Sequence, residues 1–512
     1  MAILGQVIKS ALELGKVLTS EKPEAQRLQR EQLTSLLKKA QNTAFGIYYG
    51  FDQILKSDDP VATFREKVPI HNYDKIHQRW WVQQQKQRNI TWPGRPKYFA
   101  LSSGTTGKES KRIPVTDDML ASFRSVGIAQ AVSLSNFDFS PELFEKEALM
   151  LGSSANLDQR HDHYEGEISG INTSNLPRWF EGFYRPGLDI ASVDNWDERV
   201  ELIAQNAPEW DVGAILGIPS WVQMMLEKII KYHDVNNIHD IWPNLSLFIS
   251  GGVAFEPYRE SLEKLFAHPL QYLDTYLASE GFFAFTARPG TLSMQLAINQ
   301  GIYYEFIPFD ERGFDETGHL LEEPLVLSFD QIEEDKDYAL LVSTPAGAWR
   351  YMIGDTIKFT DLNRMEMVIS GRTKYFLNVV GSQLSEEKIN NAITQVARHF
   401  DTEIPEFTVA AIRDQEGDYI HQWILGNDKE TDEEAVKQQL DEVLQGLNKN
   451  YRVARSKALK AIDVKIVPSA SIYDWLEDRK KKGGQIKMPK VMKEEMMRDL
   501  LDFIGVKATY QS

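Results

Sequence analysis

The sequence predicts an α/β protein with a second, smaller α+β module at its C-terminal end. The first observation is that short apolar runs end in glycine turns and precede helical patterns, as at residues 148–151, 212–216 and 245–249. Short buried strands that alternate with helices are typical of α/β units. Ligands of such sheets bind beyond the carboxyl ends of the strands, so these turns are candidate walls of a site.

Two further observations concern the second half of the chain. Short strand-like runs between residues 300 and 370 have the spacing of hairpins, which predicts a small antiparallel sheet or barrel. The composition changes past Gly371, where amphipathic helix patterns at 386–400 and 430–448 alternate with strand candidates. This last segment of about 130 residues is long enough to be a domain. Residues 21–90 read as helices.

Composition excludes several classes of function. The formal charge of -17 and the sequence pI of about 5.2 argue against a nucleic-acid or anionic-membrane partner, because such binders are basic. The absence of cysteine excludes a thiol nucleophile, a disulfide framework and a thiolate metal site. No apolar run is long enough for a membrane span, and charged residues interrupt the first twenty residues, which read as an amphipathic helix. A cytoplasmic protein is therefore expected.

The most informative stretch, residues 101–114, reads Leu-Ser-Ser-Gly-Thr-Thr-Gly-Lys-Glu-Ser-Lys-Arg-Ile-Pro. Glycines allow backbone N–H groups to turn toward an anion, hydroxyls add donors, and a lysine adds charge. The predicted phosphate-binding residues are Ser102, Ser103, Thr105, Thr106 and Lys108. The spacing does not match a Walker loop. A helix capped by Asp117 and Asp118 would add its dipole if the loop led into it, and a solvated linker is the alternative interpretation.

Four other segments carry polar groups at turns. Residues 276–281 present an aromatic ring, a hydroxyl and a carboxylate, and residues 350–355 place an acid at a turn. Residues 370–374 form a glycine-basic turn, and residues 482–490 place lysines in a glycine-flanked segment.

In this order, the motifs resemble those of the adenylate-forming superfamily, and more closely those of the auxin-responsive acyl acid amido synthetases, the Gretchen Hagen family. The match includes Tyr-Leu-Ala-Ser-Glu at 276–280, the Tyr-Arg-x-Gly-Asp motif at 351–355 and the C-terminal lysine motif at 484–490. Leu277 and Ala278 stand where Ala-Ser is usual, Met352 replaces the motif arginine, and Lys490 replaces the final arginine. None of these changes removes an acidic, glycine or lysine position on which the chemistry depends.

The resemblance implies a large adenylating N-terminal domain over residues 1–372 and a mobile C-terminal lid over residues 373–512. It implies that ATP, with Mg²⁺, activates a carboxylic acid as acyl-AMP, and that the acyl group then passes to an amino acid as an amide. A CoA ligase of the same superfamily shares the first half of this reaction and remains open. A non-catalytic nucleotide-binding switch is the alternative from another class.

The resemblance also implies roles for individual residues. Glu280 would bind Mg²⁺, Lys487 would enter the site for adenylation, and Asp355 would accept hydrogen bonds from the ribose hydroxyls. Arg372 would lie near the ribose or the α-phosphate and mark the hinge. The predicted nucleotide contacts are completed by Gly251, Gly252, Val253, Tyr276 and Ser279.

Each role has a structural alternative. Tyr276 would serve equally as core filler beside a strand, and Glu280 or Asp355 as a cap at a turn. His161 and His163 suggest a metal site but lack a clear third ligand, and no Gly-x-Ser-x-Gly elbow is present. The acyl pocket is expected to be apolar and to include Trp179, Phe180 and Trp221.

Overall fold

The computed structural model describes residues 10, 25–102, 110–178, 180–252, 255, 258–315, 319–373, 384, 386–413, 419–448, 451–452, 454–455, 459–478, 488–492 and 494–505. Its strands are β1 Tyr98–Ser102, β2 Lys111–Val115, β3 Glu147–Leu151, β4 Asp158–Arg160, β5 His163–Gly166, β6 Tyr184–Arg185, β7 Val212–Gly217, β8 Leu247–Gly251, β9 Gln271–Ala278, β10 Gly281–Phe285, β11 Met294–Leu296, β12 Tyr303–Pro308, β13 Asp337–Ser343, β14 Tyr351–Asp361, β15 Glu366–Arg372, β16 Phe407–Arg413, β17 Tyr419–Gly426, β18 Leu459–Val467 and β19 Val491–Met492.

The α-helices of the described residues include α1 Ala25–Ala40, α2 Ala44–Tyr48, α3 Phe51–Lys56, α4 Pro60–Lys67, α5 Tyr73–Ile76, α6 Val82–Gln84, α7 Asp117–Ser133, α8 Ile168–Thr173, α9 Leu188–Ala191, α10 Trp196–Asn206, α11 Pro219–His233, α12 Arg259–Glu263, α13 Glu386–His399, α14 Glu433–Leu447, α15 Ser469–Asp478 and α16 Glu494–Phe503. A π-helix at His77–Trp81 joins α5 to α6. The helices predicted within residues 21–90 are present as α1 to α6. None of the described helices is long and apolar enough to cross a membrane. Apart from Ser10, the predicted N-terminal amphipathic helix lies outside the described residues.

The α/β prediction is confirmed by a sheet of eleven strands among the described residues, in the order β12-β13-β14-β15-β11-β10-β9-β8-β7-β3-β6. The five strands from β9 to β6 are parallel, and the strands from β9 to β12 are antiparallel. One detail differs from the sequence prediction. The antiparallel strands continue this sheet rather than forming a separate small barrel, because β10 and β11 join them to β9 through hydrogen bonds.

The parallel strands bring their carboxyl ends to one edge of the sheet. Gly152 follows β3, Gly217 ends β7 and Gly251 ends β8, so the predicted glycine turns lie side by side. Close packing requires glycine at position 251, because a Cβ atom there would lie 2.6 Å from Oγ1 of Thr275 on β9. Gly252 follows with φ at +84°, a conformation that favours glycine.

A smaller sheet in the order β2-β1-β5-β4 holds the two strands that flank the predicted phosphate loop. The loop leads into β2 rather than into a helix, so the expected helix dipole is not placed directly behind it. Helix α7 begins only after β2, and its N-cap is Thr116, whose hydroxyl accepts the backbone N–H of Met119 at 3.1 Å. Asp117 and Asp118 lie in the first turn and are not the cap.

Residues from 384 onward have their own apolar core. Two clusters of buried side chains pack around a sheet in the order β18-β17-β16-β19, and neither contains a described residue that precedes 384. The earlier part of the chain is built around separate clusters, one of which includes the parallel strands and another the antiparallel strands and the N-terminal helices. This separation is consistent with a large N-terminal and a smaller C-terminal domain, and the boundary between residues 372 and 373 remains a prediction.

Candidate active site

A cavity of about 4650 Å³ lies at the carboxyl edge of the parallel strands and is also lined by residues of the C-terminal part, including 488–492. All of the predicted site residues that the structure describes line it: Ser102, Gly251, Gly252, Tyr276, Ser279, Glu280, Asp355 and Arg372. The glycine turns at 152 and 217 line it as well. The remaining predicted residues lie outside the described part of the chain: Ser103, Thr105, Thr106, Lys108, Val253 and Lys487.

Asp355 is the centre of a hydrogen-bonded group formed by three strands. Tyr276 on β9 donates its hydroxyl proton to Oδ2 of Asp355 at 2.6 Å. Arg372 lies directly opposite Asp355 in the β14–β15 register, with Nε 2.9 Å from Oδ1. Oδ2 thus accepts a hydrogen bond from Tyr276, Oδ1 forms an ion pair with Arg372, and both oxygens retain lone pairs for a ligand hydroxyl. The arrangement suits a carboxylate that accepts two hydrogen bonds from a diol.

Glu280 is buried at the β9–β10 turn, with only 6% of its surface exposed. The hydroxyl group of Tyr351, on β14, donates to Oε1 of Glu280 at 3.3 Å. Burial raises the pKa of Glu280, and the positive charge of Lys111 partly offsets this effect. A buried carboxylate that keeps acceptor capacity is suited to bind a cation, and its burial argues against the alternative interpretation of a solvated cap.

Lys111 and Arg112 lie at the base of the predicted phosphate loop. Lys111 is opposite Ser102 in the β1–β2 register, and both residues line the cavity. The backbone N–H of Arg112 donates to the hydroxyl oxygen of Tyr73 at 2.9 Å, and its Nε donates to Oε1 of Glu165 at 2.9 Å. The strand register therefore places the positively charged side chains of Lys111 and Arg112 at the base of the predicted phosphate loop.

His163, one of the two histidines considered for a metal site, pairs with a carboxylate in the structure. Nε2 of His163 lies 3.2 Å from Oε1 of Glu165, the carboxylate that also holds Arg112. Burial opposes ionisation of Glu165, but the hydrogen bonds from His163 and Arg112 outweigh it and lower the pKa of Glu165. Among the described residues, no group of three or more His, Asp or Glu side chains has the arrangement of a metal site.

Asp274 is an acidic cavity residue that the motif analysis did not single out. It lies opposite Ser250 in the β8–β9 register, two positions before Tyr276, and lines the same cavity. Burial raises the pKa of Asp274 to about 7, although the N–H of Thr275 donates to Oδ1 at 3.1 Å. Because side chains alternate between the two faces of a strand, the spacing of two positions could have shown that Asp274 and Tyr276 share a face of β9.

The raised pKa of Asp274 has a measurable consequence. Because the folded-state pKa lies above the usual value of about 3.9, ionisation destabilises the fold progressively between pH 4 and 7. We expect Asp274→Asn to become more stable than the parent chain as pH rises through this window, by at most about 4 kcal/mol above pH 7. Urea unfolding at pH 4, 5.5 and 8 measures the difference, with exposed Asp197→Asn as the control. Parallel stability curves for the parent and Asp274→Asn would contradict the prediction.

Comparison with known proteins identifies the family. Three family models match in order: the GH3 family N-terminal domain at residues 16–171, the GH3 family central domain at 295–368 and the GH3 family C-terminal domain at 387–496.

The chain belongs to the GH3 family.

Curated relatives of this GH3 protein include plant enzymes. It is similar to the indole-3-acetic acid-amido synthetase GH3.2 of Arabidopsis thaliana, with 26% identity over 43% of this chain and 42% of the relative. The indole-3-acetic acid-amido synthetase GH3.8 of Oryza sativa subsp. indica is 22% identical over 56% of this chain and 50% of the relative. The chain spans about half the length of the curated relatives it matches.

Solved structures show the fold over nearly the whole GH3 chain. The acyl acid amido synthetase AtGH3.15, in complex with 2,4-DB, matches with a TM-score of 0.75 at 16% identity, covering 98% of this chain and 96% of its own. A 2-hydroxyisobutyryl-CoA ligase in the postadenylation state matches with a TM-score of 0.56 at 13% identity, covering 94% and 92%. The prediction of a fold shared with adenylate-forming enzymes is confirmed.

The two parts of this GH3 protein meet through a buried polar contact. The hydroxyl group of Tyr258, shortly after the Gly251-Gly252 turn, donates to Oε1 of Glu406 at 2.8 Å. Oε2 of Glu406 accepts from Nζ of Lys490 at 3.1 Å. Burial raises the pKa of Tyr258 well above its usual value, and the nearby charge of Glu406 adds to the effect. Glu406 thus links a wall of the cavity to the segment that carries the predicted lid lysine.

Proposed function

We propose that this protein is an ATP-dependent acyl acid amido synthetase. It activates a carboxylic acid as acyl-AMP with release of pyrophosphate, and then transfers the acyl group to the amine of an amino acid, with AMP as the leaving group. The observation that carries the proposal is that Glu280, Tyr276, Asp355 and Arg372 converge, with both strands of the phosphate loop, on one cavity of a GH3 family member.

Each residue has a defined task in this reaction. Tyr276 and Arg372 fix the Asp355 carboxylate so that its free lone pairs accept hydrogen bonds from the two ribose hydroxyls. The loop residues Ser102, Ser103, Thr105, Thr106 and Lys108 hold the β- and γ-phosphates. Lys111 adds a second cation at the base of the loop, where charge develops on the phosphates during transfer. The segment Gly251-Gly252-Val253 would line the adenine pocket through its backbone groups.

Mg²⁺ fits the donor set around Glu280. The carboxylate is buried, lines the cavity and keeps acceptor capacity beyond its hydrogen bond from Tyr351. Phosphate oxygens would complete the coordination, since the described residues supply no cluster of three ligands. When bound, the ion neutralises charge on the transferring phosphate groups.

A chain that uses ATP and lacks cysteine is suited to the cytoplasm, where we place it.

Acid-dependent pyrophosphate release with ATP and Mg²⁺ tests the proposal, measured over aryl, indolyl and fatty acids. Each positive acid is then repeated with the twenty amino acids and with CoA. Faster AMP release with an amino acid supports the amido synthetase. Faster release with CoA would replace it by a CoA ligase. Tight ATP binding without pyrophosphate release for any acid would favour the nucleotide-binding switch.

The ribose contact can be tested separately by Asp355→Ala. The substitution removes the acceptor for two ligand hydroxyls and leaves the hydroxyl group of Tyr276 buried without its partner. We expect affinity for ATP and AMP to fall by about 1.5–3 kcal/mol, the range for hydrogen bonds to a charged group. Titration calorimetry with AMP measures the loss, and Asp330→Ala, at an exposed position that does not line the cavity, serves as the control. Unchanged AMP affinity would exclude Asp355 from the nucleotide site.

The Tyr258–Glu406 contact predicts an effect on the balance of the two half-reactions. If the C-terminal part moves between them, the contact at 2.8 Å is made in one arrangement and broken in the other. We expect Tyr258→Phe to speed one half-reaction and slow the other, each by about 3- to 10-fold, in line with the loss of one net hydrogen bond. Single-turnover adenylation and transfer from preformed acyl-AMP are compared with those of exposed Tyr232→Phe. Equal changes in both steps would contradict this prediction.

A further inference from the structure

Lys490 is held on β16 by its side chain and by its backbone. Its Nζ lies 3.1 Å from Oε2 of Glu406 and 4.3 Å from the ring centroid of Phe407. Its carbonyl oxygen accepts the backbone N–H of Val409 at 3.0 Å. Only 10% of the Lys490 side chain and 7% of the Glu406 side chain are exposed. A buried ion pair with a second contact to an aromatic face fixes the lysine in one geometry.

The backbone on both sides of Lys490 is held on the same strand. The hydroxyl group of Thr408 donates to the carbonyl oxygen of Pro489 at 2.8 Å. Val491 lies opposite Val409 in the parallel register of β16 and β19. These contacts give the chain around Lys490 a fixed position on the C-terminal sheet.

Residues 488–492, here called the anchored segment, line the same cavity as the nucleotide residues. Of the residues predicted for the acyl pocket, Phe180 and Trp221 line this cavity as well, while Trp179 lies outside the described residues. The anchored segment directly follows Lys487, the residue to which the family resemblance gives the phosphate contact. The position of the anchored segment therefore determines where the chain leaves Lys487.

The carboxylate of Glu406 joins the anchored segment to the N-terminal part of the molecule. Its Oε1 accepts the hydrogen bond from Tyr258 at 2.8 Å, and its Oε2 accepts the hydrogen bond from Lys490. Tyr258 is itself buried, with 2% of its surface exposed. Two donors that share one buried carboxylate are energetically coupled, since each donor changes the charge that the other meets.

A second ion pair between the two parts of the molecule uses a different carboxylate. Lys264 of the N-terminal part pairs with Glu403 of the C-terminal part, and 61% of the Lys264 side chain is exposed. Neither residue lines the cavity. Exposed ion pairs of this kind contribute little to stability and are screened by salt. The pair is a matched control, because it joins the same two parts without using Glu406.

We propose that Glu406 is a positioning residue for adenylation. It couples the docking of the C-terminal part, through Tyr258, to the placement of the anchored segment, through Lys490. Glu406 does not line the cavity, so it acts through Lys490 and not on the substrates. Lys487 then reaches the phosphates only while both donors hold Glu406. This inference rests on the proposed function, since it concerns the first half-reaction.

A double-mutant cycle tests the coupling. Single-turnover adenylation is measured for Tyr258→Phe, for Lys490→Met and for the double variant, with an acid that the parent activates. We expect losses of about 3- to 10-fold for Tyr258→Phe and roughly 10- to 100-fold for Lys490→Met. In the Lys490→Met background, Tyr258→Phe should cost less than about 2-fold, because the link to the anchored segment is already broken. A double loss equal to the product of the single losses would overturn the inference.

The exposed ion pair provides the control cycle. Lys264→Met combined with Lys490→Met should give the product of the two single losses, because Lys264 does not share the carboxylate of Glu406. The same departure from the product in this cycle as in the Tyr258 cycle would show general weakening of the docked arrangement and would overturn the inference.

Two further measurements distinguish positioning from a purely structural role. Lys490→Arg keeps a cation beside Glu406 and should adenylate within about 3-fold of the parent. Transfer from preformed acyl-AMP should change by less than about 2-fold in Lys490→Met. Lys490→Gln, which removes the charge and keeps a donor, takes the place of Lys490→Met if that variant does not fold. Equal losses in both half-reactions, or a Lys490→Arg variant as slow as Lys490→Met, would overturn the inference.

The parent protein separates this inference from the proposed function. If the parent releases pyrophosphate with an acid while the two losses multiply in the Tyr258 cycle, only the inference falls. If the parent releases none with any acid, the proposed function falls, and the inference falls with it.

Discussion

Replacing Glu280 by glutamine is expected to lower acid-dependent pyrophosphate release by roughly 10²- to 10³-fold, the range for loss of one fixed electrostatic contact in a buried site. Glutamine has nearly the same size as glutamate. It also keeps a side-chain oxygen that can accept the hydrogen bond that the Tyr351 hydroxyl now donates to Oε1 of Glu280 at 3.3 Å. It removes the charge that would hold Mg²⁺, so the Mg²⁺ concentration for half-maximal rate should rise.

Stability distinguishes a site role of Glu280 from a structural one. Glu280 is buried, and burial raises its pKa, so its ionised form destabilises the fold. We therefore expect Glu280→Gln to melt at the same or a higher temperature than the parent although it is nearly inactive. Tyr351→Phe, which removes only the donor, is the matched control and should reduce the rate far less. An unchanged Mg²⁺ titration in Glu280→Gln would exclude Glu280 as a ligand.

Replacing Lys487 by alanine is expected to slow adenylation by roughly 10²-fold or more, because the resemblance gives this lysine the phosphate contact in the first half-reaction only. Lys487 itself lies outside the described residues, but the following residues 488–492 line the cavity. Amide formation from preformed acyl-AMP should change little. The two half-reactions are measured separately, with Lys482→Ala as a control from the same lysine-rich segment. Equal losses in both half-reactions would remove Lys487 from this role.

Much of the fold could be predicted from local patterns in the sequence. The apolar runs that end in glycine turns became β3, β7 and β8, since burial on both faces of a parallel strand requires a continuous apolar run. The motif residues Tyr276, Glu280 and Asp355 could be found because each has characteristic neighbours in the sequence. The predicted turn at Asp355 was wrong, because Asp355 lies within β14 and pairs with Arg372 of β15. The number of strands in the large sheet could not be predicted from the sequence, because hairpin-like runs have the same pattern in a small barrel as at the end of a large sheet.

The sequence alone indicated the α/β class, the family and the motif residues that line the cavity, because strand pattern and short motifs are local properties. Which groups are partners follows from the folded structure and not from local sequence. The pairing of Asp355 with Tyr276 and Arg372 depends on strand register, as does the position of Lys111 beside Ser102. Such long-range contacts leave no periodic or compositional signal in a single sequence.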